Sequence, residues 1–144
     1  MAHRDEVLDE AYEALSRSHP AHYARSGEDV TRERLAALFD VVVTALRDRQ
    51  LEPVARYGEA VAERRFDDGF GIGEVQTAFN VMEETMWRHV TAAVDPDALA
   101  EALGLVGTVL GFAKDTVARR YVSLASQRHV PSLDLIALFS GVES

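Results

Sequence analysis

YGEAVAERRFDDGFGIGEVQTAFNVMEETMWRHV, residues Tyr57 to Val90, is the stretch whose reading decides the fold. Pro53, just before it, suits the first turn of a helix, where a missing N–H costs nothing. Val54, Tyr57, Val61 and Phe66 then give that helix an apolar side, with Ala55 and Ala62 beside it. Arg64 and Arg65 fall near its end, where positive charge suits the negative pole of the helix. Gly69 supplies a left-handed stop. Beyond it, Ile72, Val75, Phe79, Met82, Met86 and Val90 recur every three or four residues, which is one face of a second helix. Trp87 lies on the flank of that stripe. Gly71 and Gly73 leave the start of this helix loosely defined, because no Ser, Thr, Asp or Asn precedes Ile72 to cap it. The stretch is a helix-turn-helix hairpin.

Working outward, residues 4–17 predict a short helix with Leu8, Ala11, Tyr12 and Leu15 on one side. Pro20 and a Ser-rich surround break the chain over residues 16–26. Ser26 followed by Asp29 resembles a capping box opening the next helix. Its stripe is Leu35, Phe39 (or Leu38), Val42 and Leu46, ending near Arg49. Asp95-Pro96 signals the start of a long helix over about 96–127, with Leu99, Leu103, Val106, Leu110, Ala113, Val117, Tyr121 and Leu124 as its stripe. Between Ala102 and Ala113 only Thr108 is polar. That run is too short for a bilayer, which needs about 20 apolar residues, so the helix is expected among other helices or against a second subunit.

Gly104, Gly107 and Gly111 share a side of this helix near Leu110. Each glycine costs up to ~1 kcal/mol of helix propensity, so a close helix–helix contact is expected there, within the chain or between subunits. After Pro131 an apolar tail, residues 130–144, either packs back or meets a partner. The whole predicts an all-α chain, 1–144, in a single domain: a helical bundle, globin-like or up-down, of about five to six helices with its core over about 11–127.

Composition narrows the function. Fifteen basic residues against 24 acidic ones leave a net charge of −9, which argues against nucleic acid or an anionic membrane as partner. The absence of cysteine removes disulfides, thiolate metal sites and cysteine nucleophiles. The charged, amphipathic N-terminus has no signal-peptide core, so a cytoplasmic location is expected.

Candidate chemistry is sparse. His19 and His22 flank Pro20 in a loop with no carboxylate at a suggestive spacing. Glu84 and His89, with Glu83 alongside, are five apart, unlike the Glu-x-x-His of di-iron helices. GFGIG follows a helix instead of a strand and lacks the rest of a nucleotide loop. Asp67-Asp68 lacks the later ligands of a calcium loop. Arg64 and Arg65 read as a solvated helix end, with a partner-facing basic spot as the rival. Most of the aromatic set Tyr57, Phe66, Phe79, Trp87, Phe112 and Tyr121 reads as core. Phe79, Trp87, His89 and Phe112 are the candidate lining of a small apolar pocket. His89 could ligate haem as a globin histidine does, although no cofactor is required by the pattern. No catalytic set can be named, and no enzyme activity is expected.

The segments HPAHYARSGEDV (19–30), YGEAVAERRFDDGFGIGEVQTAFNVMEETMW (57–87) and VARRYVSL (117–124) resemble the N-terminal domain of RsbT co-antagonist RsbRD proteins, found also ahead of PucR-type regulators. The family pattern has a basic pair leading to a turn glycine, a hydrophobic step into the next helix, a midway aromatic and a Leu/Met-Trp. Arg64-Arg65 to Gly69, Ile72, Phe79 and Met86-Trp87 match it, whereas Asp67-Asp68 departs from the usual small or amide residues. The resemblance implies an all-helical sensory or regulatory domain of a bacterial stress response or transcription regulator. It also implies a homodimer without obligatory haem. A regulatory partner, or an effector domain not included in this sequence, would receive the signal through the C-terminal tail.

Overall fold

The computed structural model describes residues 2–18 and 27–133, and all its elements are helices. They are α1 (Ala2–Ser18), α2 (Glu28–Asp48), α3 (Glu52–Asp67), α4 (Ile72–Ala93) and α5 (Pro96–Leu133). Helices α2 and α4 sit centrally. Helix α1 packs on one side of them, and α3 with α5 on the other. The His19–His22 loop, Ser26 and the tail from residue 134 lie outside the described residues.

The apolar stripes point inward largely as the periodicity predicts. Val42, Val54, Met82, Leu110, Ala113 and Val117 are fully buried. The ends of the stripes are less covered: Ile72, Val90, Leu99, Leu103 and Leu124 are only half-buried. Ile72 and Val90 nevertheless pack against the core at its edge.

Helix boundaries show how the caps work. The expected Ser26–Asp29 capping box rests on Ser26, which lies outside the described residues. The N-cap of α2 is Gly27, at φ 88°, with no side-chain hydrogen bond. At the other end Arg49 takes the left-handed conformation (φ 56°) and donates its N–H to the Ala45 carbonyl. Gly69, at φ 85°, closes the end of α3 as expected. The start of α4 is better fixed than its glycines suggest. The Gly71 N–H donates to the Glu74 carboxylate at 2.9 Å, which is half of a capping box, because glycine has no side chain to reciprocate.

Helix α5 begins at Pro96 and continues through Pro131 to Leu133, beyond the predicted end near residue 127. Pro131 removes only one backbone donor, and near the end of a long helix that loss is tolerable. At 38 residues α5 is about 57 Å long, against about 33 Å for the 22 residues of α4. Its last core residue is Tyr121, and Val122 is 64% exposed. Residues 122–127 beyond it are half-buried or exposed.

The contact that sets the spacing of α3 and α5 involves a glycine that the sequence reading passed over. A Cβ on Gly58 would lie 3.1 Å from Thr116 Cγ2 and 3.2 Å from its Cβ. Gly58 is a point of close approach between these two helices. By contrast, a Cβ on Gly104 or Gly111 would meet nothing within 4 Å, and one on Gly107 only Glu83 Oε2 at 3.8 Å. Among the described residues, no close helix approach meets these three glycines.

Candidate functional site

Two regions stand out, the outward face of α5 and a cavity between α2, α3 and α4. On α5 the residues at Gly104, Thr108, Gly111, Asp115, Ala118 and Val122 alternate in steps of three and four and face outward, half-buried or exposed. This is a heptad-like seam of mostly small side chains. The helix is long and apolar enough, by length and composition, to cross a membrane, yet only 22% of its most apolar window is buried. Leu110 points the opposite way and is fully buried. Ion pairs fasten α5 to the bundle: Lys114 Nζ lies 2.7 Å from Glu83 Oε1, and Arg120 Nη2 lies 2.9 Å from Glu63 Oε1.

The four aromatic-pocket candidates do not gather. Phe79 is buried and lines the cavity described below. Trp87 is 45% exposed over a shallow depression with Glu84 and Arg88, so it is not a core residue. Phe112 is half-buried on α5. His89 turns toward α1, its Nε2 3.2 Å from Glu10 Oε1. Glu83 faces Lys114 while Glu84 is exposed beside Arg88, so neither joins His89. The ligand atoms of His3, Glu6 and His89 do come within 4.8 Å of one another, on the surface between α1 and α4.

The cavity holds about 240 Å³. Its apolar wall includes Leu35, Leu38, Val61, Val75 and Phe79, and Tyr57 stacks on Phe79 with ring centroids 6.5 Å apart. Its polar wall is Thr31, Glu33 and Tyr57 with Arg34, Arg64 and Arg65. Thr31 is 1% exposed, and its Oγ1 has no hydrogen-bond partner among the described residues. Arg65 is not the solvated helix end that its position predicts: its side chain is 12% exposed and its Nη1 lies 2.7 Å from Asp68 Oδ2. Burial, then repulsion from Arg34 and Arg64, lowers the Arg65 pKa against the opposing pull of Asp68. Asp68 also faces Arg34 Nη2 at 3.9 Å, so one carboxylate serves two guanidinium groups. That gives the Asp67-Asp68 departure from the family pattern a local role.

Burial raises Tyr57 from its ordinary value of 10 to about 12, and it does the same for Tyr121, whose hydroxyl donates to the Phe70 carbonyl at 3.1 Å. The folded chain holds these two protons more tightly than the unfolded chain. Stability is therefore complete below pH 10 and falls as pH rises from about 10 to about 12, because only the unfolded state readily ionises there. Chemical denaturation across that range is expected to show this fall. Replacing both tyrosines by phenylalanine should flatten it, and an equally steep fall in that variant would contradict the assignment.

The described residues form an all-helical bundle in which α5 presents a seam of small residues outward. A family model for the RsbT co-antagonist protein rsbRD N-terminal domain matches residues 5–129, so the chain belongs to that family. This places it among regulatory helical domains of the stress-response type. Comparison with curated proteins and with solved structures returned no match.

Proposed function

We propose that the protein is a non-enzymatic, cytoplasmic regulatory domain that pairs with a second copy of itself through the outward face of α5. The observation that carries this reading is that only 22% of the most apolar window of α5 is buried by the described residues. Among the described residues its outward face carries small residues with Val122 as its exposed large apolar side chain, a surface suited to a helix–helix contact. Gly104 and Gly111, open within the chain, would let two such helices approach closely. The ion pairs that tie α5 into a soluble-type bundle favour a protein over a lipid as its cover. A shift in packing across α5 would reach a partner regulator or effector through the stretch beyond Tyr121. Such a shift requires the signal to bind two packings with different affinity. Carriage of a small molecule is the second reading, favoured by the cavity beside Phe79.

Light scattering coupled to size exclusion tests the pairing. Wild type is expected to be a dimer, and the double variant Gly104→Arg, Gly111→Arg a monomer of unchanged helicity. Two buried, unpaired guanidinium groups should weaken association by at least about a hundredfold. A wild type that stays monomeric at its highest soluble concentration would sink the pairing.

A further inference from the structure

The Thr31–Arg65 cavity has features that a structural void lacks. A void left by imperfect packing is apolar and dry. This one has a buried hydroxyl without a partner among the described residues, and a tyrosine, one glutamate and three arginines on its wall. Asp68 pairs with both Arg34 and Arg65, and Arg64 has no ion pair among the described residues. Three arginines against Glu33 and Asp68 thus give the polar side of this chamber a net positive charge in a protein of net charge −9.

We propose that this cavity binds a small organic monocarboxylate, its hydrocarbon part against Phe79 and its carboxylate among Arg64, Arg65 and the hydroxyls of Thr31 and Tyr57. A carboxylate accepts from guanidinium and hydroxyl donors together, and these charge-assisted hydrogen bonds are the strong ones. The fused demand for an apolar body and one anionic end excludes phosphates and sugars, which have too little apolar surface for the wall. Volume sets the size. An apolar cavity of about 150 Å³ accepts benzene, so 240 Å³ suits an acid of roughly ten non-hydrogen atoms. Haem is too large for it, and His89 is not on its wall.

The lowered pKa of Arg65 agrees with this assignment, since a bound anion would relieve the repulsion from Arg34 and Arg64. The inference supplies an input for the regulatory reading, but it does not depend on the dimer. Binding can be present in a monomer, and pairing can be present without binding, so each can fail alone.

Isothermal titration calorimetry on the full chain tests it, with octanoate and phenylacetate as probes and octanol as the neutral control. Both acids are expected to bind at one site per chain, and octanol at least about tenfold more weakly. Arg64→Gln removes an exposed, unpaired charge and should leave the fold intact while weakening the acids about tenfold and octanol little. Ala78→Leu, which fills the chamber, should abolish binding of all three. Should that variant unfold, Thr31→Val, close to isosteric, should fold and still weaken the acids. No saturable binding of either acid would overturn the proposal. Equal affinity for octanol would overturn it too, as would undiminished acid binding in folded Arg64→Gln and Ala78→Leu variants.

Discussion

Gly58→Leu is expected to cost about 3 kcal/mol or more of stability, with a fall in melting temperature on the order of 10 °C. Overpacking ordinarily costs ~1–3 kcal/mol, and here the new side chain has unusually little room. Its Cβ alone would sit 3.1 Å from Thr116 Cγ2 and 3.5 Å from the Ala113 carbonyl oxygen. The remaining carbons would have to push α3 away from α5. Replacing glycine inside a helix also gains up to ~1 kcal/mol of propensity, which is too little to offset that displacement. Gly73→Leu is the control, because a Cβ there meets nothing within 4 Å. It should be neutral or slightly stabilising. If thermal melts show Gly58→Leu no less stable than Gly73→Leu, α3 and α5 do not touch as described.

Leu110→Ala is expected to destabilise the protein by ~3–5 kcal/mol, since a fully buried leucine loses both its transfer energy and its packing, and a cavity remains. Val106, Val109, Ala113 and Val117 on the same helix are also buried, so the backbone has little freedom to collapse into the gap. The loss should appear in urea melts as a lower midpoint with an unchanged slope. It should appear equally in the dimer and in the monomeric Gly104→Arg, Gly111→Arg background. A loss confined to the dimer would place Leu110 at a subunit contact, contrary to its burial within the chain.

These two variants mark what reading residues alone could find. The Gly58 contact was legible in principle: Val54, Gly58 and Val61 are spaced four and three apart, so the glycine lies on the buried face of α3. A glycine on the core stripe of a helix is a sign of close approach, yet the three glycines of α5 gave the more conspicuous signal. Leu110 belonged to a clear stripe and was also grouped with the glycines as a contact residue. Its burial separates it from them. Trp87 was harder to place, because a flank position on an amphipathic helix is covered or bare according to its neighbours.

The cavity was the least visible feature. Thr31, Arg34, Tyr57, Arg65 and Phe79 come from three helices, and no spacing in the chain joins them. Arg65 in particular reads as a solvated helix end, because proximity to a C-terminus predicts a favourable field but says nothing about which helix lies across from it.

The sequence by itself determined the helical class, the order of the elements, most inward faces and membership of a regulatory family. Those properties follow from local periodicity, caps and turn residues, which act over a few positions. Only the tertiary structure decided which glycine is crowded and which are open, that α5 continues through Pro131, and that charge and an unpaired hydroxyl converge on one chamber. Each of these depends on the distance between residues remote in the chain, and helical periodicity fixes a residue's direction without fixing what it meets.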